Sequence, residues 1–250
     1  MEKSERTCPK CHGTGWIIQV FGDREGAEPC DCSRSDWLAQ KLKAARIPEL
    51  YKGCSTESFK PRNESQRKAL YVARTFVENY PAGSGGLLFQ GPAGVGKTHL
   101  ATAVLRGLVE TRRVSGLFAD TRDLITRAQA RIGDREGPEK VIREAVSVEV
   151  LLLDDLGSHR ISDWTEDLIS QIINQRYNRK KVTLFTTNYG GVKERGGFTF
   201  DREEIKRGGE EESLEERIGY RLRSRLFDMA RLVEVDGTDY RRDVLARLKK

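Results

Sequence analysis

Gly91-Pro92-Ala93-Gly94-Val95-Gly96-Lys97-Thr98 spells G-x-x-x-x-G-K-T, the pattern of a phosphate-cradling P-loop. The apolar run Leu87-Leu88-Phe89 reads as the strand that feeds the loop, and His99 to Leu105 as the helix that leaves it. In that order backbone N–H groups face a phosphate at a helix N-terminus, where the dipole favours anions. Lys97 supplies a point charge for β- and γ-phosphates, and the Thr98 hydroxyl suits Mg²⁺. Residues 91–99, His99 included, are the candidate nucleotide-binding stretch. A glycine-rich turn that fits by chance is the competing reading, and the strand-loop-helix context speaks against it.

Outward from the loop, the apolar segments alternate in type. Residues 64–80 carry Ala69, Leu70, Ala73, Phe76, Val77 and Tyr80 on one helical face. The run 81–86, rich in Gly and Pro, ends that helix before the P-loop strand. Further strands are expected at 116–119, 148–153, 182–187 and 231–235. Helices are expected from Thr121, after Pro138, over 164–179, and from the capping box Ser213-Leu214-Glu215-Glu216 to Met229. Strands and helices alternating at this length imply an α/β fold, a central parallel sheet covered on both faces. Residues 192–212, charged and Gly-rich, read as a mobile loop.

Asp154 and Asp155 close an apolar strand, where a central parallel strand delivers side chains to the ligand edge of the sheet. Asp154 suits a magnesium shell, and Asp155 suits polarising an attacking water. A solvated strand end is the plainer alternative. Asn188 closes the next strand and is placed to orient water or sense a γ-phosphate; by itself an Asn there is more often a turn former. Arg217, Arg221 and Arg225 recur at i, i+4, i+8 and are expected on one helical stripe, either a solvated cationic face or a source of charge for phosphoryl transfer in an adjacent subunit.

All five cysteines fall in the first 54 residues. Cys8-x-x-Cys11 and Cys30-x-Cys32 each place two thiolates on one cation, and the 18 residues between the pairs suit a hairpin that joins them as a tetrahedral zinc site. Gly13 and Gly15 suit the knuckle that turns N–H groups toward sulfur. A disulfide pair or unrelated buried thiols are the alternatives; His12 is a weaker candidate ligand, and Cys54 reads as a small buried residue. The expected organisation is a zinc module over 1–36, a linker and lead-in over 37–63 with a short helix from Trp37 to Ile47, and an ATPase domain over 64–250.

Net charge is +6, with 44 Lys and Arg against 38 Asp and Glu. The excess sits late: residues 217–250 hold ten basic against five acidic side chains, whereas 193–216 hold five against nine. That is compatible with an anionic partner without demanding one. No stretch approaches the roughly 20 apolar residues of a membrane span. Met1 to Arg6 lacks the apolar core of a signal peptide, so the expected address is cytoplasmic with no membrane partner.

The ordered set GPAGVGKTH, VLLLDDLG, TLFTTN and RLRSRLF, with the lead-in Arg46-Ile47-Pro48-x-x-Tyr51 and Phe59, resembles an AAA+ ATPase of the initiator and helicase-loader branch. It is similar to bacterial loaders of the DnaC and DnaI type and to the IstB transposition helper, over about residues 46–240. The resemblance implies a three-layer ATPase domain, with Lys97 and Thr98 on the phosphates and Mg²⁺ of ATP, and Asp154 as the Walker B metal residue. It further implies Asp155 as catalytic acid, Asn188 as sensor, and Arg225 as the arginine finger given to a neighbouring copy. The implied activity is ATP hydrolysis in a self-associating loader whose partners are a replicative DNA helicase and single-stranded DNA. Arg122, Arg127, Arg131 and Arg135 are candidates to track DNA phosphates. Only residues 236–250 follow the last expected strand, too few for a helical lid, and Arg241 or Arg242 is the candidate second sensor. The alternatives are a transposition helper or a nucleotide-switched binding module; a small-molecule kinase would leave the paired acids, Asn188 and the Ser-Arg helix without a role.

Overall fold

Five short apolar runs become parallel strands of one sheet: β3 (Gly86–Gln90), β4 (Gly116–Asp120), β5 (Val150–Asp154), β6 (Val182–Thr187) and β7 (Ala230–Glu234). Their order is β4-β5-β6-β3-β7. The computed structural model describes residues 8–242 except 13, 22–23, 82, 84, 159–161 and 190–212. The segment expected to be a mobile loop therefore lies outside the described residues.

Strand order reverses around β3, which sits between β6 and β7 while the next strand in sequence, β4, lies at the far edge. Such a reversal opens a crevice at the carboxyl ends of the central strands, and the P-loop leaves β3 at that point. The central strands are buried along their whole length because both sheet faces are covered. Leu88, Leu151, Leu153 and Phe185 pack beneath α4 (Thr121–Gln129), α5 (Glu139–Ser147), α6 (Asp163–Asn178), α7 (Leu214–Ile218) and α8 (Tyr220–Met229). Leu87, Phe89, Leu152 and Leu184 face α2 (Glu64–Asn79), α3 (Lys97–Arg112) and the end of α1 (Asp31–Ala44). The expected three-layer α/β architecture is the one observed.

Local chemistry sets the boundaries. Asn63 caps α2 by accepting the Gln66 N–H at 2.8 Å, and the apolar face of that helix meets α3. Arg176, fully buried on α6, donates to the carbonyls of Ala145, Val148, Glu149 and Val182 and to Thr183 Oγ1. No carboxylate takes part in those bonds, and burial pushes the guanidinium pKa down to about 9. Arg176 thus satisfies the Val148 and Glu149 carbonyls, and the strand expected from 148 begins at Val150, Val148 being the C-cap of α5.

Two expectations are corrected. The helix from the Ser213 capping box is not continuous: Gly219, at φ +78°, separates α7 from α8. The backbone angle at 219 is one that glycine adopts without strain; the nearest neighbour of a Cβ there, Glu166 Oε1 at 2.6 Å, is the mobile end of a side chain. Arg217 consequently leaves the stripe of Arg221 and Arg225. The helix expected from Trp37 starts at Asp31. Its first turn is polar, so apolar periodicity cannot reveal it, yet Asp31 there complements the helix dipole.

Ahead of α1, β1 (Trp16–Phe21) and β2 (Arg24–Pro29) form an antiparallel hairpin, with Trp16 opposite Pro29 and Ile18 opposite Ala27. Among the described residues no helix is long and apolar enough to cross a membrane.

Candidate nucleotide site and cysteine cluster

Lys97, in the first turn of α3, is 6% exposed and donates from Nζ to the carbonyls of Gly91 at 2.8 Å and Pro92 at 2.6 Å. Burial pushes its pKa down to about 8, although Asp155 and Asp154 pull the other way. An anion bound at the loop favours the ammonium form, so the bound-state pKa lies higher and binding takes up a proton above pH 8. Triphosphate affinity should therefore hold steady up to about pH 8 and fall above it, by as much as about tenfold per pH unit. Calorimetric titration between pH 7 and pH 9.5 in two buffers of different ionisation enthalpy checks this; affinity that rises with pH would refute it.

Across the cleft, β5 and β6 deliver the acids. Asp154, 6% exposed, accepts from Thr98 Oγ1 at 2.9 Å and from Thr186 Oγ1 at 2.6 Å, both on Oδ1. Burial raises its pKa against those two hydrogen bonds, and both donors are neutral hydroxyls. A buried carboxylate beside a threonine hydroxyl is a hard-oxygen donor set, and it fits Mg²⁺. Asp155 follows in the left-handed region, φ +57°, its N–H donated to Thr186 Oγ1 at 2.8 Å. Asn188 Nδ2 donates to Asp155 Oδ1 at 2.7 Å. Thr186 thus braces both acids, which sequence reasoning did not single out: a threonine in a buried strand reads as a β-former.

These groups line one cleft of ≈ 580 Å³, within the size range of small-molecule sites. The lead-in closes one wall. Tyr51 stacks on Phe118 with ring centroids 6.0 Å apart, and Phe59 meets the His99 ring edge-on at 5.3 Å. Phe59 also lies against the loop, its Cε2 2.6 Å from where a Cβ on Gly96 would stand. His99 Nε2 lies 3.1 Å from Ser58 Oγ and 3.2 Å from the Ser55 carbonyl, and burial lowers its pKa. The chain after β7 closes the other wall: Val235 N–H donates to Gln90 O at 2.8 Å and Tyr240 N–H to Gly94 O at 3.1 Å. Arg241 lines the cleft, whereas Arg242 does not. Arg225 is half-buried on α8 and does not line it either.

The arginines expected to follow DNA are largely engaged within the chain. Arg122 donates to Ser158 Oγ at 3.1 Å and to Ser158 O at 3.0 Å. Arg127 and Arg46 both pair with Glu144, and Arg131 lies 3.6 Å from Asp134. Burial opposes ionisation of Glu144, but its guanidinium partners outweigh that and hold its pKa below the usual carboxylate value. Arg135 is exposed.

The hairpin brings the four cysteines together. The sulfurs of Cys8, Cys11, Cys30 and Cys32 all lie within 4.8 Å of one another, with Cys8–Cys30 at 3.8 Å and Cys11–Cys32 at 3.3 Å. A tetrahedral Zn(Cys)₄ site needs sulfurs about 3.8 Å apart, so the cluster fits zinc. Gly15 N–H points at Cys11 Sγ at 3.3 Å, as a knuckle requires, and backbone N–H groups of Cys11 and Lys10 hold the Cys8 thiol below its usual pKa. Cys30 precedes α1 and Cys32 lies in its first turn, where the neighbouring thiols of Cys11 and Cys30 hold the Cys32 thiol well above its usual pKa. His12 is exposed and outside the cluster; Cys54 is buried elsewhere.

A family model described as "IstB-like ATP binding protein" matches residues 16–193. The "Replicative helicase loader DnaC" of Buchnera aphidicola subsp. Schizaphis graminum is 29% identical over 153 residues, covering 60% of this chain and 62% of that protein. The chain thus matches less than two thirds of that curated relative's length. The solved structure of "the DnaC helicase loader" is 36% identical with a TM-score of 0.62, covering 76% of this chain and 100% of that one. The solved structure of "the DnaI" is 26% identical with a TM-score of 0.59, covering 76% and 95%.

Proposed function

Because this chain belongs to the IstB-like ATP-binding protein family, we propose that it hydrolyses ATP and spends the cycle on loading a replicative DNA helicase onto single-stranded DNA. The observation that carries the reading is the Thr98–Asp154–Thr186–Asp155–Asn188 hydrogen-bond chain, set opposite Lys97 across one cleft. In this reading Lys97 leaves its two carbonyls for the β- and γ-phosphates, while the N–H groups of residues 94–98 cradle them. Thr98 and Asp154 would hold Mg²⁺, which would supply charge neutralisation for the phosphates. Asp155 polarises the attacking water, and Asn188 releases Asp155 to orient it. Arg225, which does not line its own cleft, serves a neighbouring copy, so hydrolysis depends on self-association. The cysteine cluster holds zinc and shapes the hairpin as the docking module for the helicase. Likeness to the DnaC and DnaI structures supports the loader.

The family description favours one second reading, a transposition helper whose partner is a transposase. Co-purification with ATP and Mg²⁺ from the source cell separates the two. Recovery of the replicative helicase, with ATP-dependent transfer of that helicase onto a single-stranded circle, is the expected result. Recovery of a transposase without the helicase would overturn the loader.

A further inference from the structure

Asn188 is followed by an aromatic side chain whose surroundings are unusually constrained. The Tyr189 N–H donates to Thr187 Oγ1 at 3.2 Å, and that hydroxyl donates on to Leu156 O at 2.8 Å. Leu156 N–H in turn donates to Thr186 O at 2.8 Å, so the turn after Asp155 is laced to the end of β6. On one side of the Tyr189 ring stands Gly157, where a Cβ would lie 3.0 Å from Tyr189 Cδ2 and 3.4 Å from Arg217 Cβ. The Arg217 guanidinium stacks over the ring at 4.8 Å from its centroid. The half-buried ring is thus wedged between the turn that carries the acid and the helix α7 that carries Arg217.

We propose that Tyr189 is a positioning residue that passes the state of the Asp155–Asn188 pair to helices α7 and α8. The inference rests on the nucleotide site described above. Asn188 can hold Asp155 or turn toward a γ-phosphate, and the coupling requires that the second option shift the backbone carrying Tyr189. Gly157 lets the ring approach this turn more closely than a side chain there would allow, and on the same ring lies the Arg217 guanidinium, so a displacement of the ring reaches Arg217. Helix α7 does not move alone: its Leu214 and Ile218 are buried in the same cluster as Leu222 and Leu226 of α8. Arg225 lies between those two leucines in sequence. The nucleotide held by one subunit would then set the position of the arginine that subunit lends to the next. A merely structural Tyr189 would stabilise the fold equally in every nucleotide state; a coupling residue distinguishes between the states.

The test is hydrogen exchange over residues 214–229 in the full chain, saturated with Mg²⁺ and either ADP or a non-hydrolysable ATP analogue, with nucleotide affinity measured on the same samples. The parent should differ between the two states by about fivefold or more in protection. Tyr189→Phe, which keeps the ring, should retain that difference. Tyr189→Ala should abolish it, with affinity for either nucleotide within about threefold of the parent. Arg217→Met, which keeps the aliphatic stem and Tyr189 but removes the cation, provides the same readout should Tyr189→Ala fail to fold, and it too should abolish the difference. Persistence of the difference in both variants, or its absence in a parent that binds both nucleotides, overturns the coupling. A parent that binds neither nucleotide overturns the site itself.

Discussion

Asp155→Asn should bind ATP about as tightly as the parent and hydrolyse it about 10²–10⁴-fold more slowly, the range expected for losing a positioned base. The substitution suits the site sterically. Asp155 sits at φ +57°, a region that asparagine tolerates better than most residues. Its N–H bond to Thr186 Oγ1 belongs to the backbone and survives, and an amide oxygen still accepts from Asn188 Nδ2. What is removed is the charge and basicity facing the cleft. The neighbouring Asp154→Asn change should behave differently: its carboxylate meets Thr98, so its loss should weaken magnesium-dependent binding as well as turnover. Single-turnover hydrolysis with saturating ATP, measured beside equilibrium binding over a magnesium titration, separates the two acids. Parent-like turnover by Asp155→Asn would remove Asp155 from the catalytic role, and a parent that binds ATP without turning it over, with DNA and helicase present, would favour a nucleotide-switched binding module over an ATPase.

Much of this site is local in sequence. The P-loop, its strand and its helix are contiguous, and Asp154, Asp155 and Asn188 each end an apolar run whose pattern marks a buried strand. Adjacent strands in a parallel sheet end at the same edge, so three separate segments converge without further information. Features that depend on two distant segments meeting were not legible. Arg176 reads as one charge on an amphipathic helix, and only the folded chain shows four carbonyls converging on it. Arg122 and Arg127 read as a basic stripe for phosphates until Ser158 and Glu144 arrive from elsewhere. The i, i+4, i+8 arginines assumed an unbroken helix, and an apolar pattern does not register the positive φ at Gly219 that breaks it. Tyr189 offered no signal of its own, because its partners Gly157 and Arg217 flank it from opposite directions in sequence.

Metal removal should have the largest structural effect, confined to the N-terminal hairpin. The purified chain should carry one zinc, and stripping it with a strong chelator should unfold residues 8–30. Two strands of six residues cannot hold themselves together in water, and this hairpin exposes Trp16 at 55% and Ile18 at 70% instead of burying them. Four thiolates on one zinc are the remaining source of stability, on the order of 10 kcal/mol in small zinc modules at neutral pH. Helix α1 should respond in two parts. Its first turn carries Cys32 and should fray with the cluster. Its later turns should persist, because Leu38 and Leu42 pack on the ATPase core and Ala45 O accepts the Phe118 N–H of β4 at 2.8 Å. Hydrogen exchange or limited proteolysis should therefore locate the change before about residue 36, with nucleotide affinity retained. Cys30→Ser should reproduce the chelator effect, because it removes the ligand at the joint between hairpin and helix. Cys54→Ser, outside the cluster, should leave metal content unchanged. A chain that keeps its hairpin protected without metal, or that carries none when folded, would reduce the four cysteines to buried thiols and leave the helicase-docking role of the module without a physical basis.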